Sequence, residues 1–261
     1  CTALETGTDP GSLEAYMPQL RSPEAELELV RLTPALFRSL HALPDPVWHA
    51  VAARAAEMGR GMLALVDDPE VRTTDDLERY CYYVAGTVGH MLTAIFTGSC
   101  RVSSRRRAVL EATAENFGKC LQYVNIIKDS GPDFREGRRF LPTDLITESG
   151  CSVEDFFAGK NPETAARVYA QLIGRARELA GDARRYILAL PRRACRYRRF
   201  CILPLLLADK TLQLCDRLGR ELAVMTASPK IGRNQVKRSL LASSPAAGSN
   251  VVFRMVYPEG S

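Results

Sequence analysis

Long hydrophobic runs are missing from this sequence of 261 residues. The longest, at 201–208, has eight residues and includes Pro204, so it is too short to cross a bilayer. No signal peptide is recognisable, and the first residue is Cys1 rather than Met, as expected of a fragment. These features predict a cytoplasmic protein without a transmembrane segment.

Patterns for metal-thiolate sites, disulfides and hydrolysis are also missing. None of the eight cysteines forms a C-x-x-C pair, which argues against a zinc site and for free thiols. The sequence contains no G-x-S-x-G and no H-E-x-x-H motif. One G-x-G-x-x-A match, at 59–64, lies inside a predicted helix and follows no strand, which is the wrong setting for a dinucleotide-binding turn.

The composition is that of an ordinary globular protein, with 46% hydrophobic and 25% charged residues. Lysine and arginine number 35 against 30 acidic residues, which gives a net charge of +5. This mild excess suits an anionic ligand or an anionic surface better than it suits nucleic acid.

The hydrophobic spacing is helical, and no segment shows the alternation of a half-buried strand. A capping box at Asp75 and Glu78 and the breakers Ser130, Gly131 and Pro132 mark helix ends. We therefore predict an all-α bundle forming one domain over residues 1–240, followed by a flexible tail over 241–261 with a linker at 242–250. The predicted helices are 25–41, 46–66, 75–97, 105–129, 162–190 and 198–222.

A polar stripe on the predicted helix 105–129 is the first candidate site. Gln122, Asn125 and Asp129 share one face of this apolar helix, and Asp133 follows one turn later. Paired carboxylates suit Mg²⁺, which prefers oxygen ligands and often binds phosphates as well. Arg138 follows closely and adds a cation for a diphosphate. The alternative is a capped helix end with solvated charges.

Two further features carry alternatives of their own. Tyr80, Tyr83, Thr87 and His90 share a face of the helix 77–96, where tyrosines are often core residues with bonded hydroxyls. Seven arginines crowd residues 184–199, and they form either a solvated helix end or a surface for docking on an anionic membrane.

Several long motifs resemble those of one enzyme family. Residues 80–89 (YCYYVAGTVG) are similar to the Y-C-H-Y-V-A-G-x-V-G signature of squalene synthases. Residues 121–129 (LQYVNIIKD) and 137–142 (GRRFLP) resemble its L-Q-x-x-N-I-I-R-D…G-R-x-F-x-P element. Residues 200–204 (FCILP) and 230–233 (KIGR) resemble the later F-C-x-x-P and K-I-x-R elements. Order and spacing agree over about 1–240, so the chain resembles the squalene/phytoene synthase family, nearer the squalene branch.

The first acidic motif of that family is matched incompletely. Residues 3–10 (ALETGTDP) stand where the family has A-L-D-T-x-E-D-D, so that Glu5 and Asp9 keep two of its acids. Thr8 and Pro10 replace the others, and Pro132 replaces the inner acid of the second motif. The family also has helices before this point, which this sequence lacks. Each missing carboxylate weakens the expected Mg²⁺ site.

The resemblance implies an isoprenoid-synthase-type helical bundle with a central cavity. It implies a Mg²⁺-dependent transferase that joins two farnesyl diphosphates head to head into presqualene diphosphate. NADPH then reduces that intermediate to squalene for sterol or hopanoid biosynthesis. The implied metal ligands are Glu5, Asp9, Asp129 and Asp133, and Tyr83 is the implied catalytic residue, handling the proton lost on cyclopropane closure. The implied substrate and cofactor contacts are Gln122, Asn125, Lys128, Arg138, Lys230 and Arg233.

Two alternatives to this activity stay open from the sequence. A phytoene-type or other head-to-head prenyl synthase would act without NADPH. A non-catalytic homologue would use the same bundle to bind a lipid or a protein partner, as the incomplete acidic motifs suggest. In either case we expect a monomer, with peripheral contact to an anionic membrane and no nucleic-acid partner.

Overall fold

The computed structural model describes residues 24–67 and 70–259. These ranges are mainly helical and contain no strand, which confirms the predicted all-α class. The α-helices are α1 (Glu24–Arg31), α2 (Thr33–His41), α3 (Asp45–Asp67), α4 (Thr74–Cys81), α5 (Thr87–Ser99), α6 (Ser104–Arg135), α7 (Thr143–Thr147), α8 (Val153–Phe157), α9 (Pro162–Ala189), α10 (Cys195–Leu218), α11 (Arg233–Gly248) and α12 (Asn250–Val256). A π-helical segment, Tyr82–Gly86, joins α4 to α5, and a 3₁₀ segment, Gly219–Val224, follows α10.

Helix α4 begins one residue earlier than the sequence predicts. Its N-cap is Thr73, whose hydroxyl accepts from the Asp76 N–H at 3.1 Å while the Asp76 carboxylate accepts from the Thr73 N–H at 2.9 Å. The expected capping box at Asp75 and Glu78 is therefore wrong. Glu78 is instead turned into the bundle, where it makes contacts described below.

Helix α6 continues past the predicted stop at residues 130–132 and ends at Arg135. Pro132 lacks the N–H that would bond to Lys128, but flanking contacts keep the helix together. The Ser130 hydroxyl donates to the Ile127 carbonyl at 3.0 Å, and the Arg135 guanidinium donates to the Gly131 carbonyl at 2.7 Å. Asp133 therefore stays on the same helix as Asp129, one turn further along.

Close helix contacts hold α6 antiparallel to the α4–π–α5 rod. A Cβ on Gly118 would overlap the Ala85 carbonyl, and a Cβ on Gly89 would overlap the carbonyl of Ala114. Glycine at both positions lets the two backbones approach to a distance that side chains would forbid. Helix α9 packs along the other side of α6, with Phe117 stacked on Tyr186 at 5.3 Å between ring centroids.

The segment Arg233–Val256 is helical, whereas the composition of 242–250 predicts a linker. Helix α11 crosses residue 240, where we expected the domain to end. Ala246, Ala247 and Phe253 are buried, and these small and aromatic side chains seal α11 and α12 against the bundle. Tertiary burial therefore overrides the weak helix propensity of serine and glycine.

Within the described ranges, none of the helices combines the length and apolar character needed to cross a membrane. The seven cysteines of this part of the chain are free thiols. Burial raises the pKa of the Cys120 and Cys201 thiols to about 12.

Candidate active site

A cavity of about 620 Å³ opens beside the π segment, between α3, α4 and the loop that precedes α7. Its walls are largely aromatic and aliphatic, and charged groups stand along part of its lining. The aromatic residues lining it are Tyr80, Tyr83 and Phe140, the aliphatic ones include Met62, Leu65 and Val71, and the charged ones are Glu70, Asp76 and Arg79. Tyr80 stacks on Phe140 with 4.9 Å between centroids.

Tyr83 lies directly on the backbone of α3. A Cβ built on Gly61 would stand 2.6 Å from Cδ2 of Tyr83 and closer still to Cγ and Cδ1, so the ring uses the space that glycine leaves. The Tyr83 hydroxyl makes no hydrogen bond to the described part of the chain, whereas its carbonyl accepts from the Thr87 hydroxyl at 2.8 Å. The catalytic candidate thus lines the cavity, and its hydroxyl has no hydrogen-bond partner in the described part of the chain.

The π segment places a second tyrosine against the same helix. Tyr82 donates a 2.5 Å hydrogen bond to Glu57, which also accepts from Arg54 at 2.5 Å. Burial and the bond to Glu57 raise the pKa of Tyr82 to about 12. Burial alone would raise the pKa of Glu57, but its bonds to Tyr82 and Arg54 outweigh that effect and lower it. Short π-helical insertions are frequent at functional sites because they turn neighbouring side chains to one surface.

The insertion also changes which residues share a face. The uniform helix predicted over 77–96 places His90 beside Tyr80 and Tyr83. In the structure His90 lies 3.7 Å from Glu115 on α6, away from the cavity lining, and Thr87 is buried. One extra residue per turn in the π segment accounts for this shift.

Asp129 and Asp133 lie one turn apart near the C-terminal end of α6, as predicted. Lys128 forms an ion pair with Asp129, and Arg138 donates to Oδ1 of Asp133 from Nε at 3.0 Å and from Nη2 at 2.6 Å. Oδ1 of Asp129 is buried without a hydrogen-bond partner. A buried acceptor without a donor is costly, so this oxygen is suited to a cation.

Electrostatics connect the carboxylates to the cavity. Burial raises the pKa of Tyr80, the negative charge of Asp133 raises it further, and the positive charge of Arg138 opposes that rise. Arg138, the partner of Asp133, precedes Phe140 by two residues, and Phe140 lines the cavity and stacks on Tyr80.

The other predicted site residues are only partly brought together. Gln122 is half-buried and Asn125 is exposed on α6, and neither lines this cavity. Lys230 and Arg233 are exposed at the start of α11 and pair with no described carboxylate. Glu5 and Asp9 lie outside the described residues, so their role as metal ligands stays a prediction. Within the described ranges, no group of three or more His, Cys, Asp or Glu side chains is arranged to hold a metal.

Beside the site, Glu78 joins three elements of the bundle. Its carboxylate accepts from Tyr123 on α6 and from Arg175 on α9, both at 2.8 Å, and pairs with Lys119 at 3.1 Å. Burial tends to raise the pKa of Glu78, but these three partners outweigh burial and lower it. Lys119 also pairs with Glu115 at 2.5 Å.

Sequence reasoning missed Gly61, Glu57 and Glu78. Gly61 falls in the G-x-G match set aside above, and a small residue on a predicted helix is a signal for close helix approach. Glu57 and Glu78 carry no comparable signal, because their partners Tyr82 and Arg175 lie 25 and 97 residues further along the chain.

Comparison with known proteins adds a family match to this geometry. The model of the family described as squalene/phytoene synthase matches residues 5–239. The chain belongs to the squalene/phytoene synthase family. Enzymes of this family join prenyl diphosphates head to head and generally use Mg²⁺.

Individual relatives include both branches of the family. A phytoene synthase of Thermus thermophilus is 37% identical over 122 residues, covering 47% of this chain and 39% of that protein. The squalene synthase of Mus musculus is 29% identical over 203 residues, covering 77% of this chain and 48% of that protein. The chain thus spans less than half the length of these curated relatives.

Solved structures agree on the fold. The complex of TcSQS with the ligand E5700 has a TM-score of 0.81 at 22% identity, covering 98% of this chain and 71% of that one. A dehydrosqualene synthase in complex with a ligand has a TM-score of 0.56 at 19% identity, covering 94% of this chain and 83% of that one. The predicted isoprenoid-synthase-type bundle is therefore confirmed.

Proposed function

We propose that this chain catalyses Mg²⁺-dependent head-to-head condensation of two prenyl diphosphates, with farnesyl diphosphate as substrate. The observation that carries the proposal is one cavity lined by Tyr83, Tyr80 and Phe140, with Arg138, the ion-pair partner of Asp133, two residues before Phe140 in the chain. An apolar, aromatic cavity protects a carbocation from water, and the charged groups beside it are suited to a diphosphate.

The residues present fit a magnesium ion in part. Asp129 offers a buried oxygen without a partner, and Asp133 offers a second carboxylate one turn away. Both would hold Mg²⁺, together with Glu5 and Asp9 if these face them. When bound, Mg²⁺ supplies charge neutralisation for the diphosphate and so stabilises it as a leaving group.

The side chains have distinct proposed roles in the condensation. Arg138 and Lys128 neutralise charge that develops on the diphosphate as the C–O bond breaks. The double bond of the second prenyl chain then donates its electron pair to the resulting allylic cation, while the cavity walls keep water away. Tyr83 accepts and passes on the proton that is lost when the cyclopropane ring closes. Gln122 and Asn125 are proposed polar contacts to substrate on α6.

The fate of the cyclopropyl intermediate distinguishes two forms of this proposal. The motif at 230–233 favours reduction by NADPH to squalene, with Lys128, Lys230 and Arg233 as contacts. The 37% identity to a phytoene synthase favours a product formed without NADPH. Lys128 is paired with Asp129, and Lys230 and Arg233 are exposed. No contact in the described part of the chain therefore favours a nicotinamide cofactor over its absence. Product analysis with and without NADPH separates the two forms.

Replacing Tyr83 with phenylalanine tests the catalytic role. We expect Tyr83→Phe to abolish formation of the cyclopropyl diphosphate, because the proton loses its acceptor, and to leave the free energy of unfolding unchanged. The measurement is product formation from radiolabelled farnesyl diphosphate with Mg²⁺, with circular dichroism as the check on folding. Normal product formation by the variant would remove Tyr83 from the mechanism. If the wild-type chain released no diphosphate at all, the non-catalytic scaffold would be the correct function.

A further inference from the structure

Four arginines from two separate segments of the chain line an open cavity of about 620 Å³ at the N-terminal end of α6. Arg101 and Arg106 flank the junction of α5 and α6, and Arg192 and Arg193 lie in the turn between α9 and α10. Asp129 lies 25 residues further along α6, which is about 37 Å at 1.5 Å per residue. This arginine pocket is therefore separate from the candidate active site.

Hydrogen bonds across the pocket join the α9–α10 turn to the α5–α6 junction. Arg193 donates from Nη2 to the Arg101 carbonyl at 2.5 Å, and Arg106 donates from Nη1 to the Ala189 carbonyl at 2.9 Å. These bonds fix the two segments relative to each other, and all four arginines line the cavity between them. Arg101 and Arg192 make no such bond with their side chains in the described structure, so their donors remain available.

No carboxylate in the described ranges forms an ion pair with any of the four arginines, whereas Arg175, Arg177 and Arg184 each pair with a carboxylate. The first turns of α6 and α10 contain arginines and no acidic residue. Helix N-termini carry partial positive charge, so cations there add to the local potential instead of reducing it. The Ser103 hydroxyl, at the N-cap of α6, caps no backbone N–H and lines the pocket as a further donor.

A fifth positive charge lies behind the pocket. Arg198 is fully buried, and its guanidinium donates to three carbonyls and one amide oxygen instead of a carboxylate. Burial lowers the pKa of Arg198, and the charges of Arg106 and Arg192 act on it in the same direction. No carboxylate in the described ranges forms an ion pair with Arg198 either.

We propose that the arginine pocket binds a phosphate-class anion, such as a diphosphate or a phosphomonoester. The guanidinium group presents paired N–H donors that match two phosphate oxygens, and several such groups around one cavity favour a dianion over a carboxylate. The same group occurs free in solution and on the headgroup of phosphatidic acid, and the test below distinguishes these sources.

The test measures binding in the presence of EDTA, so that metal-dependent binding at Asp129 and Asp133 does not contribute. Inorganic pyrophosphate is titrated by calorimetry, and flotation is measured with phosphatidylcholine vesicles with and without phosphatidic acid. The test variant is the double substitution Arg101→Gln/Arg192→Gln, which leaves unchanged Arg106 and Arg193, the two arginines whose side chains join the two segments. The control is Arg217→Gln/Arg220→Gln, which removes the same charge from exposed arginines at the far end of α10.

We expect the wild-type protein to bind pyrophosphate, the acidic vesicles or both, and the test variant to bind about tenfold more weakly. The control should stay within about twofold of wild type, because its arginines lie roughly 33 Å away along α10. Pyrophosphate binding would identify a soluble ligand, and vesicle binding alone would identify a lipid headgroup. Equal losses in the two variants, absence of both kinds of binding, or binding of single-stranded RNA alone would overturn the proposal. None of these readouts depends on prenyl condensation.

Discussion

Substituting alanine for Gly61 tests whether Tyr83 depends on the backbone of α3 for its position. The added Cβ would lie 2.6 Å or less from three atoms of the Tyr83 ring. Non-bonded carbon atoms need about 3.5 Å, so the ring has to move by about 1 Å or more. A displacement of that size at a catalytic group costs about 100-fold in rate.

The effect on stability should be much smaller. Overpacking costs about 1–3 kcal/mol, whereas replacing a helical glycine with alanine recovers about 1 kcal/mol. We therefore expect Gly61→Ala to lower the free energy of unfolding by about 0–2 kcal/mol while condensation falls about 100-fold. Diphosphate release from farnesyl diphosphate and urea unfolding monitored by circular dichroism measure the two quantities separately.

Gly174→Ala is the matched control, because Gly174 is an exposed residue of α9 with open space around its missing Cβ. This variant should gain about 0.5–1 kcal/mol of stability and keep its activity. If Gly61→Ala retained activity within about threefold of wild type, the packing of Tyr83 on Gly61 would not matter for catalysis.

The buried charges give two further predictions. Glu78→Gln should destabilise the protein by about 1–3 kcal/mol at neutral pH, because Lys119 and Arg175 lose a half-buried charged partner. Since the folded-state pKa of Glu78 is lowered, its stabilisation is present above the unfolded pKa of about 4.3 and lost as the pH falls through the folded value. In urea unfolding at several pH values, the free energies of unfolding of wild type and variant should thus converge in acid. A difference that stays constant with pH would contradict the lowered pKa of Glu78. Arg198→Met should lower the free energy of unfolding in urea by about 3–5 kcal/mol and expose residues 241–259 to protease, because three carbonyls lose their donor. The control Arg196→Met, at an exposed neighbouring position, should cost less than about 0.5 kcal/mol. Equal effects of the two substitutions would contradict the role of Arg198 in holding these carbonyls.

Much of the site was predictable because its signals are local. Asp129 and Asp133 are spaced by one helical turn, and this spacing survives even though Pro132 lies between them. The aromatic and glycine pattern of residues 80–89 likewise indicated Tyr83 and a glycine at which two helices come into close contact. Composition failed at 242–250, since burial of Ala246 and Ala247 stabilises a helix that serine, glycine and proline do not favour locally.

The sequence by itself determined the helical class, the family and the catalytic candidates, because helical periodicity and motif spacing act over a few residues. Only the tertiary structure decided which charges meet. The π segment that turns both Tyr82 and Tyr83 towards α3, the Glu78 contacts to α6 and α9, and the arginine pocket all join residues far apart in the chain. Such pairings depend on how the helices pack, and packing is set by the summed burial of the whole bundle and not by any local pattern.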